Sequence, residues 1–471
     1  MKAKAFFVIT VVAVIAMLLA SCAPAATQAP AATQAPAPTQ APAATQAPAA
    51  TQAPAATQAP AATKAPAATQ APTAAPAKPI TIQFWSGLGA PDNVPMAALV
   101  KQFNAENKDG ITVVETEFDW ATLYSKLVLD FSTGNAPDVV TLHQTNLAQN
   151  VSLGILQPID DLYKQVGIDP TDFVDTVWKG TQVNGKQYAI PNDMHPLALF
   201  YNVDLFKAAG LDPNKPPTTG AELLDYAKKL TDPAKKQYGI GLGYTAGGPF
   251  RIWMSFVWQH KGQSILNADN TKAAFNTPAG IESLQFMYDL VYKYKVNPQG
   301  EQDEDTDFKN GTIAMIIEGP WEMGDFNPVK GLNYKTAQIP VVYDQAAGWA
   351  DSHTYAFPDN KKPDATLAGM KFAKWMSDHN FDWTKNSGHQ PVRLSVINSP
   401  DFKALVNWQA FSASVPVAHY YPAIPKEAEV FGRQPTDPFT LMMESVMLNK
   451  VSPADGIANA EKAVNAILSA P

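Results

Sequence analysis

"ITIQFWSGLGAPDNVPMAALVKQFNAENKDGITVVETEFDW", Ile80 to Trp120, carries the pattern on which the fold turns. "ITIQFW" alternates, placing Ile80, Ile82 and Phe84 on one face with the period of a strand. Met96, Leu99, Val100 and Phe103 then recur at i, i+3, i+4 and i+7, the apolar stripe of a helix. "GITVVETEF" returns to strand character. Beyond it, "ATLYSKLVLDFSTG" repeats the helical spacing with Tyr124, Leu127, Val128 and Phe131, and Gly134 stops it. "DVVTL" is apolar throughout, as a strand covered on both faces must be. Strand, helix, strand, helix and strand joined by short turns predict a doubly wound, mostly parallel α/β sheet. Ligands of such sheets sit beyond the carboxyl ends of the strands. That rule gathers Trp85-Ser86-Gly87, Asp119-Trp120 and His143-Gln144 into one place.

Downstream, "KQYAIP" reads as a strand that leads through "NDMH" to a second, "LALFYN". Helices are expected over Gly220–Leu230, Arg251–His260, Ala279–Tyr294, Ala365–Ser377 and Pro453–Leu468, and a strand over Thr312–Ile317. From Ile80 onward about 390 residues are globular in character, too many for one core, so two domains are expected. This part holds 31 of the 35 basic residues and all 43 acidic ones, a net charge of −12. Such a balance argues against nucleic acid or an anionic polymer as partner, though not against one small anion in a local basic pocket.

The first eighty residues are different material. Lys2 and Lys4 precede an apolar run, Ala5–Ala20, too short for a membrane span and shaped like a secretory signal. It ends in "LLASCA", which resembles the lipobox of bacterial lipoproteins; the alternative is a plain signal peptide with an incidental cysteine. The lipobox reading assigns residues 1–21 to the signal and Cys22, the only cysteine, to lipid attachment. No disulfide can then form in the folded part. From residue 23 "APAATQ" recurs with small variations, too poor in large apolar groups to bury a core. Residues 22–79 are thus expected to be a tether, spanning roughly 40 Å as a coil and roughly 170 Å if extended.

Several stretches resemble one family, the extracellular solute-binding proteins of ABC importers, in the group that includes maltose-binding protein. They are "FWSG", "NAPDVVTLHQTNLAQNVSLGILQPIDDL", "GKQYAIPNDMHPLALFYNVDLFKAAGLDPNKPPTTGAELLDYAKKL", "FKNGTIAMIIEGPWEMGDF" and "GHQPVRLSVINSPDF". The resemblance implies a two-lobed type II periplasmic-binding-protein fold. Residues 80–193 and 349–405 would form lobe 1, and residues 194–348 and 406–471 lobe 2. "IPNDMHPL" would be a hinge, with a return crossing near Val341–Ser352. It further implies a carbohydrate, in particular an oligosaccharide, captured between lobes that close on a hinge and pass it to a membrane permease. The expected protein is a monomer without cofactor or metal, held outside the cytoplasm on the membrane by its lipid.

A sugar site needs aromatic plates for C–H faces and acids, amides or His for hydroxyls. Trp85, Trp120, Trp321 and Trp349 fall at strand ends or turns and are placed in the cleft; each could instead plug a core. The family's "GPW" tryptophan, here Trp321, stacks on sugar. Trp253 is divided between cleft and core. Glu318, Asp119 and Asp193 are candidate hydroxyl acceptors, against a reading as turn or cap carboxylates. Gln144 and His143 follow the third strand, although Leu142, Thr145 and Asn146 depart from the aromatic and acid of some relatives. His195 and His353 flank the crossings, and Arg393 is expected to order its own loop.

Other patterns fail. "GLGYTA" fits G-x-G-x-x-A but lacks the acid that a ribose contact needs, and Asp303, Asp305 and Asp307 lack the Gly and Glu of a calcium loop. No H-E-x-x-H or G-x-S-x-G occurs. Acids beside tryptophans also suit a glycosidase, and a polyol or glycerol-phosphate receptor is the other alternative.

Overall fold

In the computed structural model, residues 78–244, 248–300, 303–432 and 436–470 are described. The signal, Cys22 and all but the last two tether residues lie outside them. Among the described residues no helix is long and apolar enough to cross a membrane.

The opening pattern folds largely as its spacing dictates. Strand β1 (Ile80–Ser86) is followed by helix α1 (Asn93–Glu106), which buries Met96, Leu99, Val100 and Phe103. Strand β2 (Ile111–Glu117) pairs in parallel with β1 along its whole length. Helix α2 (Trp120–Ser132) is rotated from the expected face. Leu123 and Leu127 are fully buried, whereas Val128, one helical step round from Leu127, is exposed. Strand β3 (Val139–His143) then pairs in parallel with the other side of β1.

Strand β4 (Ala189–Pro191) closes this sheet, β5 (Asp193–Pro196) lies in the crossing and β6 (Ala198–Asn202) starts the second sheet. The second lobe continues with helix α3 (Gly248–Gln259) and strands β7 (Met315–Glu318) and β8 (Tyr334–Ala337). Strand β9 (Gly348–Asp351) leads back to β10 (His353–Ala356), helix α4 (Pro363–Asp378), helix α5 (Asn380–Ser387) and strand β11 (Gln390–Pro391). Strand β12 (Ala418–His419) and helix α6 (Pro453–Ser469) belong to the last passage of the chain.

The first sheet has the order β2-β1-β3-β10-β4, the second β8-β6-β7, and a bridging sheet β11-β5-β9-β12. The first is parallel at β2-β1-β3, but β10 runs antiparallel to both β3 and β4. In the second lobe the expectation of a mostly parallel sheet is corrected. Strand β6 is antiparallel to both neighbours, and parallel pairing is confined to bridges such as Tyr238↔Ile313 and Gly241↔Ile316. The reason is the crossing: β6 leaves the cleft while β7 comes back to it, and β10 leaves the cleft where β3 ends.

One core gathers Ile82, Phe84, Phe103, Phe372 and Trp383. The largest gathers Phe206, Leu223, Phe256, Phe439 and Val464 around Trp253. Trp253 is fully buried, its Nε1 donates to the Gly280 carbonyl at 3.0 Å, and Phe275 and Phe439 pack on its ring. It is therefore a core residue and not a cleft plate. Phe402 lies in a cluster with Phe200, Phe326 and Phe411 against the second sheet.

The rotation of α2 has a measurable consequence. Leu127→Ala is expected to destabilise the fold by about 2–5 kcal/mol and Val128→Ala to change it by less than about 0.5 kcal/mol, read by denaturant unfolding.

Candidate functional site

Strand register brings the site together. His353 stands opposite His143 across the β10–β3 pair, Asp351 opposite His195 across β9–β5, and Pro391 opposite Asp193 across β11–β5. The imidazoles of His143, His195, His353 and His389 therefore meet, with ring centroids of neighbouring pairs 4.4–5.6 Å apart. Asp193 lies beneath them with no exposed surface. Its Oδ1 accepts from the His353 backbone N–H at 2.9 Å and contacts His195 Nδ1 at 3.2 Å. Its Oδ2 accepts from Trp383 Nε1 at 2.8 Å and contacts His353 Nδ1 at 2.9 Å.

Burial alone would raise the Asp193 carboxyl. The charges of His353 and His389 and hydrogen bonds from His195 and His353 outweigh burial and hold it well below the usual carboxylate range. His195 goes down, because burial and then the charge of His353 outweigh the pull of Asp193. His389 is likewise penalised by burial, but Asp92, whose Oδ2 lies 2.8 Å from its Nε2, and Asp193 raise it above its ordinary value.

Above this cluster opens a cavity of about 340 Å³. Its walls are residues 87–92, Asp119, Trp120, His143, His195, Arg251, Trp321, Glu322, Trp349, His353 and His389, so both lobes contribute. The two lobes also meet beyond the cavity, where Asn146 Nδ2 donates to Glu427 and Gln149 Oε1 accepts from the Ala428 N–H. Trp120 lies parallel to the His353 ring at 5.3 Å and directly over Gly87, where a Cβ would sit 2.2 Å from the indole. Trp321 lies as closely over Gly319, where a Cβ would sit 2.1 Å from its ring. "WSG" and "EGPW" thus use glycine for the same purpose, a close approach of backbone to indole. The Arg251 guanidinium stands 4.4 Å from the Trp349 ring centre and 5.5 Å from that of Trp321, in cation–π range of both.

Of the residues singled out from sequence, Asp119, Trp120, Trp321, Trp349 and His353 reach the cavity, as do His143 and His195. Asp119 also caps α2, accepting from the Thr122 N–H at 2.9 Å, which lowers its carboxyl. Trp85 is buried against Phe118 with Lys126 over its ring and is not in the wall. Gln144 is buried over Gly180, Asp193 lies beneath the imidazoles, and Glu318 is buried behind the wall, accepting from the Gly319 N–H at 3.0 Å. Arg393 orders its loop as expected, through Asp172 at 2.6 Å and Ser377 at 2.9 Å. Sequence reasoning missed Asp92, Arg251, Glu322 and His389. Arg251 carried a signal, being a lone cation inside the apolar run "FRIWMSFVW".

A cavity of similar volume lined by Leu197, Pro216, Pro217, Ile339 and Val417 contains no titratable group.

Comparison with known proteins shows the family. The family model of the bacterial extracellular solute-binding proteins matches residues 89–379, more than half of the chain. The chain belongs to that family. A sn-glycerol-3-phosphate-binding periplasmic protein of Shigella dysenteriae is 28% identical over 334 residues, covering 66% of this chain and 74% of the relative. Among solved structures, an ABC transporter solute-binding protein of Thermotoga lettingae bound with alpha-D-tagatose superposes with a TM-score of 0.73 at 26% identity. The match covers 83% of this chain and 100% of that one. A cyclic alpha-maltosyl-1,6-maltose binding protein of Arthrobacter globiformis gives 0.68 at 26% identity, covering 83% and 99%.

In and behind the cavity wall this solute-binding protein carries a group of carboxyls pushed upward. Burial raises Glu318 to about 8, helped by the charges of Asp305 and Glu304 and opposed by the Gly319 N–H and Arg251. Burial is also the leading cause for Glu304, raised to about 7, and Asp305, to about 6; Glu322 shifts the same way. The folded chain then keeps a proton on Glu318 that the unfolded chain releases near 4.5, so folding takes up protons between about pH 4.5 and 8. Stability contributed by this group is present below that window and is lost as pH rises through it. The unfolding midpoint is expected to fall from pH 5 to pH 8. Glu318→Gln should flatten that fall and raise the pH 8 midpoint by on the order of 2 °C, followed by circular dichroism.

Proposed function

We propose that this solute-binding protein captures a compact carbohydrate, of mono- to small oligosaccharide size, between its lobes and delivers it to an ABC permease. The observation that carries the reading is the pair of indoles, Trp120 from the first lobe and Trp321 from the second, each set on a glycine at the cavity wall. Indole faces suit the C–H faces of a sugar, and the rims have both hydrogen-bonding signs within reach. Asp92, Asp119 and Glu322 offer carboxyl oxygens, and Arg251 offers N–H groups. The Asp92 Oδ1 is buried without a hydrogen-bond partner among the described residues, an acceptor for a ligand hydroxyl. About 340 Å³ is at the small end of the ~300–1,000 Å³ of small-molecule pockets, which favours a compact ligand over a long chain.

One observation favours a second reading, a phosphorylated polyol. Arg251 puts a guanidinium in the wall, and Arg is suited to bidentate phosphate contact. The glycerol-phosphate-binding relative points the same way. In either reading the protein binds its solute without turnover. It sits outside the cytoplasm as a monomer, tethered through acylated Cys22.

Titrating monosaccharides, disaccharides and sn-glycerol 3-phosphate while following tryptophan emission separates the two readings. A saturable change with a sugar, at least about tenfold weaker in Trp321→Ala and in Trp120→Ala, is expected, ~1.4 kcal/mol or more for each stacking plate. A response to the phosphate alone, lost in Arg251→Gln, would replace the sugar reading with the second one. Gly87→Val should weaken the same ligand by lifting Trp120 off its seat.

A further inference from the structure

We propose that Asp193, His195, His353 and His389 bind a divalent transition-metal ion of the zinc class in the floor of the cleft. Each offers a donor atom, all four are buried, and these atoms lie within 4.8 Å of one another. A tetrahedral N/O site with bonds of 2.0–2.1 Å sets its donors about 3.3 Å apart, so the widest pair need close by at most about 1.5 Å. Three imidazole Nδ1 atoms converge on one carboxylate, at 3.2 Å from His195, 2.9 Å from His353 and 3.6 Å from His389.

A purely hydrogen-bonded hub does not account for the third ring. The Asp193 Oδ2 is already engaged by Trp383 Nε1 and His353 Nδ1. His389 Nδ1 is fully buried, has no hydrogen-bond partner among the described residues and points to the shared carboxylate from beyond hydrogen-bond range. Its other nitrogen is held by Asp92 at 2.8 Å, the carboxylate–histidine arrangement that orients a metal ligand. Trp383 and the His353 N–H hold the Asp193 carboxylate in the same way. Three imidazoles and one carboxylate suit zinc, copper or nickel, not the oxygen cages of calcium or magnesium. His195, His353 and His389 line the cavity, so an ion reaches them from the cleft. Bound there, it ties β5 of the outgoing crossing to β10 of the return and to the turn before β11. This inference does not depend on which solute the cleft takes.

The test uses the purified chain stripped with chelator and titrated with Co²⁺, then with Zn²⁺ in competition. We expect one Co²⁺ per chain, with the intense visible absorption of tetrahedral coordination, displaced by Zn²⁺. His389→Gln should weaken binding by about tenfold or more. Asp92→Asn, which touches no ion, should weaken it by about 10–100-fold while near-ultraviolet circular dichroism stays unchanged. Absence of stoichiometric binding by the unchanged chain, a weak octahedral spectrum, or equal affinity in a folded Asp92→Asn chain would overturn the proposal.

Discussion

A buried carboxylate, Asp193, is the constraint around which the crossing of the two lobes is arranged. Removing an ionised carboxyl from water costs several kcal/mol unless it is paired and hydrogen-bonded. Here the compensation comes from four parts of the chain: His195 two residues on, the backbone and ring of His353, the indole of Trp383 and the ring of His389. The contacts from His353 and His389 need β5, β9, β10 and β11 in register. A one-residue slip of β10 would turn the His353 imidazole away and weaken that compensation. The outgoing and returning crossings are thus coupled through one side chain, which also holds three of the four imidazoles under the cleft.

The cleft built on this floor combines rigid plates with mixed charge. Both indoles at its wall approach bare backbone, over Gly87 and Gly319, so their planes are set by van der Waals contact and not by a flexible stem. Arg251 stands over Trp349 and within reach of Trp321, and it partly offsets the buried carboxyls behind them. A wall that offers donors and acceptors beside apolar faces matches a polyhydroxylated solute better than an apolar one. The Arg251 guanidinium in the same wall leaves room for one anionic group, and this is why the two ligand readings differ by a single functional group.

Much of the first lobe was legible in the chain because its signals are local. Alternation in "ITIQFW" and the stripe from Met96 to Phe103 report burial directly, and both were buried as read. The face of α2 was misread at Val128 because its stripe is narrow and two phases differ by one residue. Residues of the cavity wall were legible where an aromatic or a histidine closes or follows a strand, as at Trp120, His143 and Trp321. Trp85 and Trp253 have the same local company, yet neighbours far away in sequence cover them. Glu318 ends its strand as expected, and the packing around it puts it behind the wall.

By itself the sequence determined the family, the two-lobed α/β character and the aromatic side chains that stand in the cavity wall at Trp120 and Trp321. These follow from composition, periodicity and motif order, which need no knowledge of long-range contacts. Only the tertiary structure decided the antiparallel second sheet, the burial of Trp253 and the entry of Asp92, Arg251 and His389 into the cleft. It also decided the convergence of three imidazoles on Asp193. Those outcomes depend on pairs as far apart as Asp92 and His389 or Asp193 and Trp383. Their proximity is set by strand register and crossing direction, and no local pattern encodes either.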